Sequence, residues 1–547
     1  MNVRVWAPDA SRVTLDDGTE LLQDGQHWTG SVEGDYGLCI DGGPVRPDPR
    51  SPWQPDGVHG LSRAYDHDAF AWTDQRWHGV PLAGAVLYEL HVGTFTDQGT
   101  FDAAIGRLDH LVDLGVTAVE LLPCNAFDGR WGWGYDGVAL YSVFDPYGGP
   151  DGLKRFVDAA HSKGLGVVMD VVYNHLGPSG NYLAEFGPYF ADDRPTPWGP
   201  AVDLRQPQVR RFFVDNALMW LRDYHLDGLR LDAVHALVDD SATHLLEEMA
   251  QEVAALGAQL GKPLFLVAES DLNDPKVLET WRMDGQWCDD VHHALHAMLT
   301  GETFGYYCDF GSLATTAKAL TGAFVHDGTW STFRGRPHGR PVPADVLGWR
   351  FVVYLQDHDQ VGNRAVGDRP PFSASGTALM LLGPFTPMLF MGEEYGATTP
   401  WMFFSDFSGD LAEAVRQGRR REFADHGWEG DVPDPQDAAT FHRSVLDWNV
   451  DEHVLGWHRD LIALRRSRPE LSDGRRDLVG VTWDDDARWL VMTRGKVAVC
   501  CNLSEQRQAM AVPGNPKGVL LASASGWTYQ EQRVEADGGS CVVVELV

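Results

Sequence analysis

The stretch GVVMDVVYNH, residues 166–175, is a continuous apolar run of strand length that carries Asp170 within it and stops at Asn174 and His175. A run without apolar–polar alternation belongs to a strand buried on both faces. The pattern recurs on either side. AVLYELHV (85–92) and TAVELLP (117–123) precede it; DGLRLDAVH (227–235), PLFLVAES (263–270), FVVYLQDHD (351–359) and TPMLFMGEE (386–394) follow. Helical segments fall between several of these runs. Ile105, Leu108, Leu111 and Val112 share one face ahead of Gly115, a capping position, and 207–223 and 242–256 also read as helices. Buried strands alternating with helices imply a parallel sheet covered by helices. Nearly every run ends in polar residues: Glu89 and His91, Glu120, Asp170, Asp232, Glu269, His358 and Asp359, Glu393 and Glu394. A doubly wound sheet gathers its polar site at one crevice, whereas a (β/α)₈ barrel builds it on all its strand ends. The expected fold class is therefore α/β, a TIM barrel over 84–472.

The flanks read differently. Residues 1–83 hold short alternating segments such as VRVWAPDASRVTLDDG, with a hairpin signal at Asp17-Gly18, and then a Pro-rich crossing, DPRSPWQPDG. They predict an N-terminal β-sandwich of the carbohydrate-binding kind. A helix with Leu455, Leu461, Ile462 and Leu464 closes the barrel region. After it, DLVGVTW, WLVMTR, VAVCCNLS, GVLLASAS and SCVVVELV predict a C-terminal antiparallel β domain over 473–547.

Composition narrows the function. The 547 residues are 44% hydrophobic and 22% charged, which excludes a disordered chain. The formal net charge of −34 argues against nucleic acid and anionic membrane surfaces as partners, and no phosphate-binding glycine loop is present. The apolar stretch 378–391 is interrupted by Gly383, Pro384 and Pro387 and is too short to span a bilayer. Seven scattered cysteines with no CxxC pair, and an N-terminus (MNVRVWAPDA) without a basic or apolar leader pattern, predict a cytoplasmic protein.

Three carboxylates at different strand ends stand in unlike settings. Arg230 precedes Asp232 by two residues on one strand, so both side chains point the same way, and a neighbouring guanidinium favours the charged carboxylate. Glu269 is approached through Leu264–Ala268, and its nearest basic residues in sequence, Lys262 and Lys276, are seven positions away; an apolar approach raises a carboxyl's pKa. Asp359 lies in the polar run Gln356–Gln360. Each taken alone fits a structural strand end as well as a site. Together they suit glycosidic cleavage: an acid to protonate the leaving oxygen, a nucleophile for the anomeric carbon and a stabiliser of the oxocarbenium-like state. Aromatic residues in glycine-rich loops supply candidate stacking surfaces for sugar faces: Trp131, Trp133 and Tyr135; Trp330 and Phe333; Trp401, Phe403 and Phe404.

DVVYNH (170–175), GLRLD (228–232), Glu269 in VAES and His358-Asp359 in LQDHDQ, in that order, resemble the four signature regions of glycoside hydrolase family 13, the α-amylase superfamily. The resemblance implies Asp232 as nucleophile, Glu269 as general acid/base and Asp359 as transition-state stabiliser. It implies Arg230 as the residue orienting the nucleophile, His175 and His358 as sugar-hydroxyl ligands, Tyr135 as a stacking tyrosine and Asp136 as a support of the pocket. SPWQPDGVHGLS (51–62), GPSGNYL (177–183), ESDLNDP (269–275), WCDDVHHALHAMLTGE (287–302), FRGRPHGR (333–340) and MLFMGEEYGA (388–397) resemble one subgroup of that family. Its members cut the α-1,4 bond next to a terminal trehalose, releasing trehalose from malto-oligosyltrehalose with retention. Retention calls for two carboxyl groups ~5–5.5 Å apart. The resemblance extends over nearly the whole chain. It implies no cofactor, and a synthase that makes malto-oligosyltrehalose as pathway partner. A branching or debranching enzyme of the same family is the alternative, and a non-catalytic glucan-binding protein a remoter one.

The sequence departs from calcium-dependent relatives at Ala236, where they carry a histidine, and no metal is expected. His235 is expected on the trehalose side. Asp289, Asp290 and His293 are expected as substrate-side or loop-ordering residues, with Gln360, Trp133 and Arg336 among the substrate contacts. Arg334, Arg336 and Arg340 could equally balance local acids.

Overall fold

A computed structural model of the chain describes residues 1–196, 199–425 and 430–547. Eight parallel strands close a barrel in sequence order: β1 (Leu87–Leu90), β2 (Ala118–Leu121), β3 (Gly166–Val171), β4 (Gly228–Leu231), β5 (Phe265–Ala268), β6 (Gly285–Trp287), β7 (Phe351–Val353) and β8 (Thr386–Phe390), with β8 pairing back onto β1. Seven of these are the apolar runs quoted above. The eighth, β6, has three residues, Gly-Gln-Trp, and its sequence carries no apolar run to mark it.

Successive side chains of a strand point to opposite faces, so every second residue looks into the barrel. The floor is apolar: Leu87, Ala118, Val168, Phe265, Val267, Trp287, Val352 and Met388 pack in one cluster. Two residues further along the same faces, chemistry replaces packing, as Leu87 gives way to Glu89, Ala118 to Glu120, Val168 to Asp170, Val267 to Glu269 and Trp287 to Asp289. Gly228 is the inward residue of β4 for a steric reason. A Cβ there would stand 2.6 Å from the ring of Phe265.

Helices cover the outside, among them α1 (Leu108–Leu114), α2 (Gly149–Ser162), α3 (Pro207–Asp223), α4 (Leu245–Leu260), α5 (Asp289–Thr300), α6 (Ala374–Leu382) and α7 (Glu452–Ser467). α1 ends as its sequence predicts, with Gly115 left-handed (φ 96°) and its N–H donating to Leu111 and Val112. Two expectations for this region fail. The helix is interrupted at Gly106-Arg107, and Val112 is 38% exposed; Leu114 takes its place beside Leu108 and Leu111.

The first 63 residues form three small antiparallel sheets, the largest pairing Asn2–Trp6 with His27–Ser31 and that in turn with Leu22–Asp24. Beyond them the chain runs beneath the barrel, where Trp77 Nε1 donates to Asp227 at 2.7 Å. At the other end, five strands (Val479–Asp484, Trp489–Arg494, Val497–Asn502, Pro516–Ala522 and Cys541–Leu546) make one sheet. Three strands not anticipated (Gln508–Ala511, Trp527–Gln530 and Arg533–Ala536) make a second. The C-terminal sheet is tied to the barrel by two arginines that bond backbone carbonyls. Arg465 of α7 donates to the carbonyls of Leu381, Gly383 and Phe385, and Arg494 of the sheet to those of Leu382 and Asp473. Together they satisfy the carbonyls at the C-terminal end of α6, which ends without a left-handed glycine cap. Among the described residues no helix is long and apolar enough to cross a membrane.

Candidate active site

Asp232 and Glu269 sit one residue past the ends of neighbouring strands, and the ladder continues through both: Asp232 N–H donates to Val171 at 3.0 Å and Glu269 N–H to Leu231 at 2.9 Å. Their backbones are thus held at one level. Directly after Asp232, Ala233 adopts a left-handed conformation (φ 40°, ψ 49°), an uncommon one for alanine. That twist aims its N–H at Glu269 Oε2, 2.5 Å away. Backbone strain of this kind persists where surrounding structure over-determines it.

Arg230 links the carboxylates. Its Nη1 lies 2.8 Å from Asp232 Oδ1 and 2.6 Å from Asp170 Oδ2, and its Nη2 lies 3.8 Å from Glu269 Oε2. The absence of a base near Glu269 in sequence therefore does not hold in space. The guanidinium is itself stacked 4.3 Å over Trp287, the last residue of the strand the sequence did not reveal. Asn174 completes the setting of Asp232, donating to its Oδ2 at 2.9 Å. Burial pushes Glu269 up to about 8; Arg230 opposes that, and the charges of Asp232 and Asp289 add to it. The raised pKa expected from the apolar approach is present, and burial is its main cause.

The other expected residues ring this pair. Tyr135 stacks on His358 with ring centres 4.9 Å apart and donates to Asp170 at 2.5 Å. His175 binds the Tyr135 carbonyl through Nε2 at 3.1 Å and meets Asn174 Oδ1 through Nδ1 at 2.5 Å. Asp289 accepts from the Tyr354 hydroxyl, and burial raises it to about 6. Asp359 is exposed and accepts from Asn363, while Gln360 accepts from Tyr306 at 3.2 Å. Asp136 lies in the same loop as Tyr135, and burial raises it to about 6.

Some expected residues stand apart. Asp290 orders a loop, accepting from the N–H groups of Val325 and His326 and from Asn273. His293 is buried against Tyr306 and Phe310. His235 is exposed, its Nδ1 accepting from Asp271 N–H at 3.2 Å. Arg334 pairs with Asp271 and Arg340 with Asp274, whereas Arg336 is exposed on a short hairpin. The stacking surfaces need correcting. Trp401 and Phe404 are fully buried and pack on each other, so neither offers a ligand a face. Trp133 is 7% exposed, lies parallel to Trp401 at 5.3 Å and donates to the Met402 carbonyl. Aromatic loops in this chain have an interior of their own to pack on. Trp330 and Phe333 remain exposed. Among the described residues no three His, Cys, Asp or Glu side chains converge as a metal-binding group, and all seven cysteines are free.

An eight-stranded parallel barrel with acids on its strand ends and a small β domain at each end is the architecture of a glycoside-cleaving enzyme of the α-amylase class. The family described as "Alpha amylase, catalytic domain" matches residues 67–194, and a domain of unknown function, DUF3459, matches 475–543. A malto-oligosyltrehalose trehalohydrolase of Arthrobacter ramosus is 50% identical over 99% of both chains, and one of Mycobacterium tuberculosis is 48% identical over 93% of this chain and 94% of its own. A crystal structure from Salmonella typhimurium, of a protein described as an alpha-amylase candidate, superposes with a TM-score of 0.91 at 37% identity, covering 100% of this chain and 97% of that one. The chain belongs to the malto-oligosyltrehalose trehalohydrolase family.

Proposed function

We propose that the protein hydrolyses the α-1,4-glucosidic bond next to the terminal trehalose of malto-oligosyltrehalose, with retention, through Asp232 and Glu269. One observation supports these roles above others: two carboxyls at one level on adjacent strands share a single guanidinium yet differ in setting. Asp232 is doubly held, by Arg230 and Asn174, as a nucleophile needs to be; Glu269 at about 8 holds its proton at neutral pH, as an acid needs to.

Glu269 protonates the glycosidic oxygen while Asp232 attacks the anomeric carbon, and trehalose departs. Bond formation removes the charge of Asp232. That charge is one of the influences holding Glu269 high, so its pKa falls as the glycosyl-enzyme forms. Glu269 can then accept a proton from water and free the shortened chain. Asp359 lies at the open edge, where it can meet ring hydroxyls, and Tyr135, His175 and His358 face the sugar whose bond breaks. Asp136, Asp289, Gln360, His235 and Arg336 belong to the wider substrate surface in this reading, with Trp133 and His293 buried behind it. We place the domain boundaries near 84 and 473, the protein in the cytoplasm, in keeping with its unpaired cysteines, and a malto-oligosyltrehalose synthase upstream of it.

The test is a product comparison. Incubated separately with maltopentaose and maltotriosyltrehalose, the protein should release trehalose rapidly from the second and act little on the first. Equal hydrolysis of both, or chain transfer, would discard the trehalose assignment.

A further inference from the structure

Glu89 stands near the top of β1, two residues beyond Leu87 on the same face. Its side chain is almost fully buried and crosses the barrel seam to the loop after β7. There one carboxylate grips one residue twice: Oε2 accepts the backbone N–H of His358 at 2.9 Å, and Oε1 meets the ring Nδ1 at 2.6 Å. The ring so held stacks on Tyr135, and its neighbour in sequence is Asp359. The two partners are 269 residues apart in the chain, and their contact exists only once β8 has closed onto β1.

Glu120 supplies an internal contrast. It pairs with Glu89 in register on β2, is equally buried, and both its oxygens lack a hydrogen bond among the described residues. Two buried carboxylates this close do not both ionise readily. Burial, with Glu89 and Asp170 adding, pushes Glu120 well above the carboxylate range, so it keeps its proton. Of the pair, Glu89 is the member that faces the imidazole and takes the hydrogen bonds of His358.

We propose that Glu89 is a positioning residue of the active site, whose carboxylate fixes both the orientation of the His358 ring and its positive charge beside the sugar at which the bond breaks. The proposal rests on the site reading given above. Other groups also face His358. Asp357 and Asp359 flank it, Asp170 and Glu120 lie below, Tyr135 and Trp287 pack on the ring, Trp133 meets it edge-on, and His91 lies nearby. Asp357 is held by burial well above the carboxylate range, and burial lowers His91 to about 3. Burial alone would lower His358; Glu89, by charge and hydrogen bond, opposes that, and with Asp357 and Asp359 adding the ring is brought to about 9.

The experiment is the pH profile of kcat/KM on maltotriosyltrehalose, with thermal midpoints, for E89Q, E120Q and H358N. Glutamine at 89 can still accept the backbone N–H but cannot hold the imidazolium. In the native protein the alkaline limb follows Glu269 at about 8; in E89Q the pKa of His358 drops below it and the limb moves to lower pH by a unit or more. At pH 7, kcat/KM falls about 10–100-fold, as loss of one charge-assisted bond implies. E120Q stays within about twofold, because it replaces a neutral group by a neutral group. A wild-type profile in E89Q, or equal losses in E89Q and E120Q with unmoved profiles, overturns the proposal. H358N with unimpaired kcat/KM overturns the site reading and this proposal with it; an impaired H358N beside a native-like E89Q overturns this proposal alone. Should E89Q fail to fold, ¹³C-histidine spectra of the native protein, with His358 assigned by its absence in H358N, decide the matter. A ring that stays charged through pH 8 supports the proposal, and a neutral ring at pH 7 overturns it.

Discussion

The guanidinium of Arg230 reaches three carboxylates, and they do not share its charge equally. Asp232 and Asp170 take the near contacts on Nη1, while Glu269 is left at 3.8 Å. Glu269, the most distant of the three, is the one that burial pushes up to about 8. Asp232→Asn removes the nucleophile with little change of shape; it should fold with a native thermal midpoint and show essentially no turnover, and substantial residual activity would contradict its role. Glu269 carries a cost that can be measured. Its pKa rises from about 4.5 to about 8 on folding, so between those values the native state holds a proton that the unfolded chain has released. Stability therefore falls as pH rises across that window, and kcat/KM falls as pH rises through about 8. E269Q should abolish turnover yet raise the thermal midpoint at pH 8 by about 2 °C, as replacement of a strained active-site charge often does. An unchanged or lower midpoint would mean that the raised pKa does not weigh on folding. Arg230 and Asp232 could be read as neighbours in sequence because two residues on a strand share a face. Asn174 with Asp232, Glu89 with His358 and Arg230 with Glu269 could not: the first and last pairs meet through the pairing of neighbouring strands, and Glu89 meets His358 only through closure of the barrel.

At the scale of elements, apolar runs of four to seven residues with polar ends identified seven barrel strands. β6 escaped because its three residues, Gly-Gln-Trp, form no apolar run, and Trp287 is buried by packing on the floor residues of the other strands. The aromatic loops misled for a related reason: glycine-rich sequence says the backbone turns, and does not say what covers the turn. Trp401 and Phe404 cover each other, with Trp133 on the first and Phe441 on the second. The end of α6 offers an element-scale test. Arg465→Met would leave the carbonyls of Leu381, Gly383 and Phe385 without their donor. At roughly 1–3 kcal/mol for each unsatisfied buried group, partly relieved by relaxation, the loss should be about 3–5 kcal/mol. Guanidinium unfolding would report it as a lower midpoint with an unchanged slope. A midpoint that does not move would show that these carbonyls find other partners.

For the molecule as a whole, one guanidinium from the final sheet and one from the last barrel helix do the work that a glycine cap does elsewhere. A chain ending at residue 472 would lose Arg494 and uncover the carbonyl of Leu382 together with the apolar flank of α6. It should be recovered mainly as aggregate, whereas R494K in the full chain should remain folded with a lowered thermal midpoint. A monodisperse, native-like 1–472 fragment would contradict this. The arrangement also limits how such a protein can be recombined. A terminal β domain joined only by a linker can be exchanged for another of similar size. This one donates hydrogen bonds into the backbone of its neighbour, so a transplanted domain would have to bring an arginine to the same point in space. Barrel and tail would therefore have to change as a matched pair.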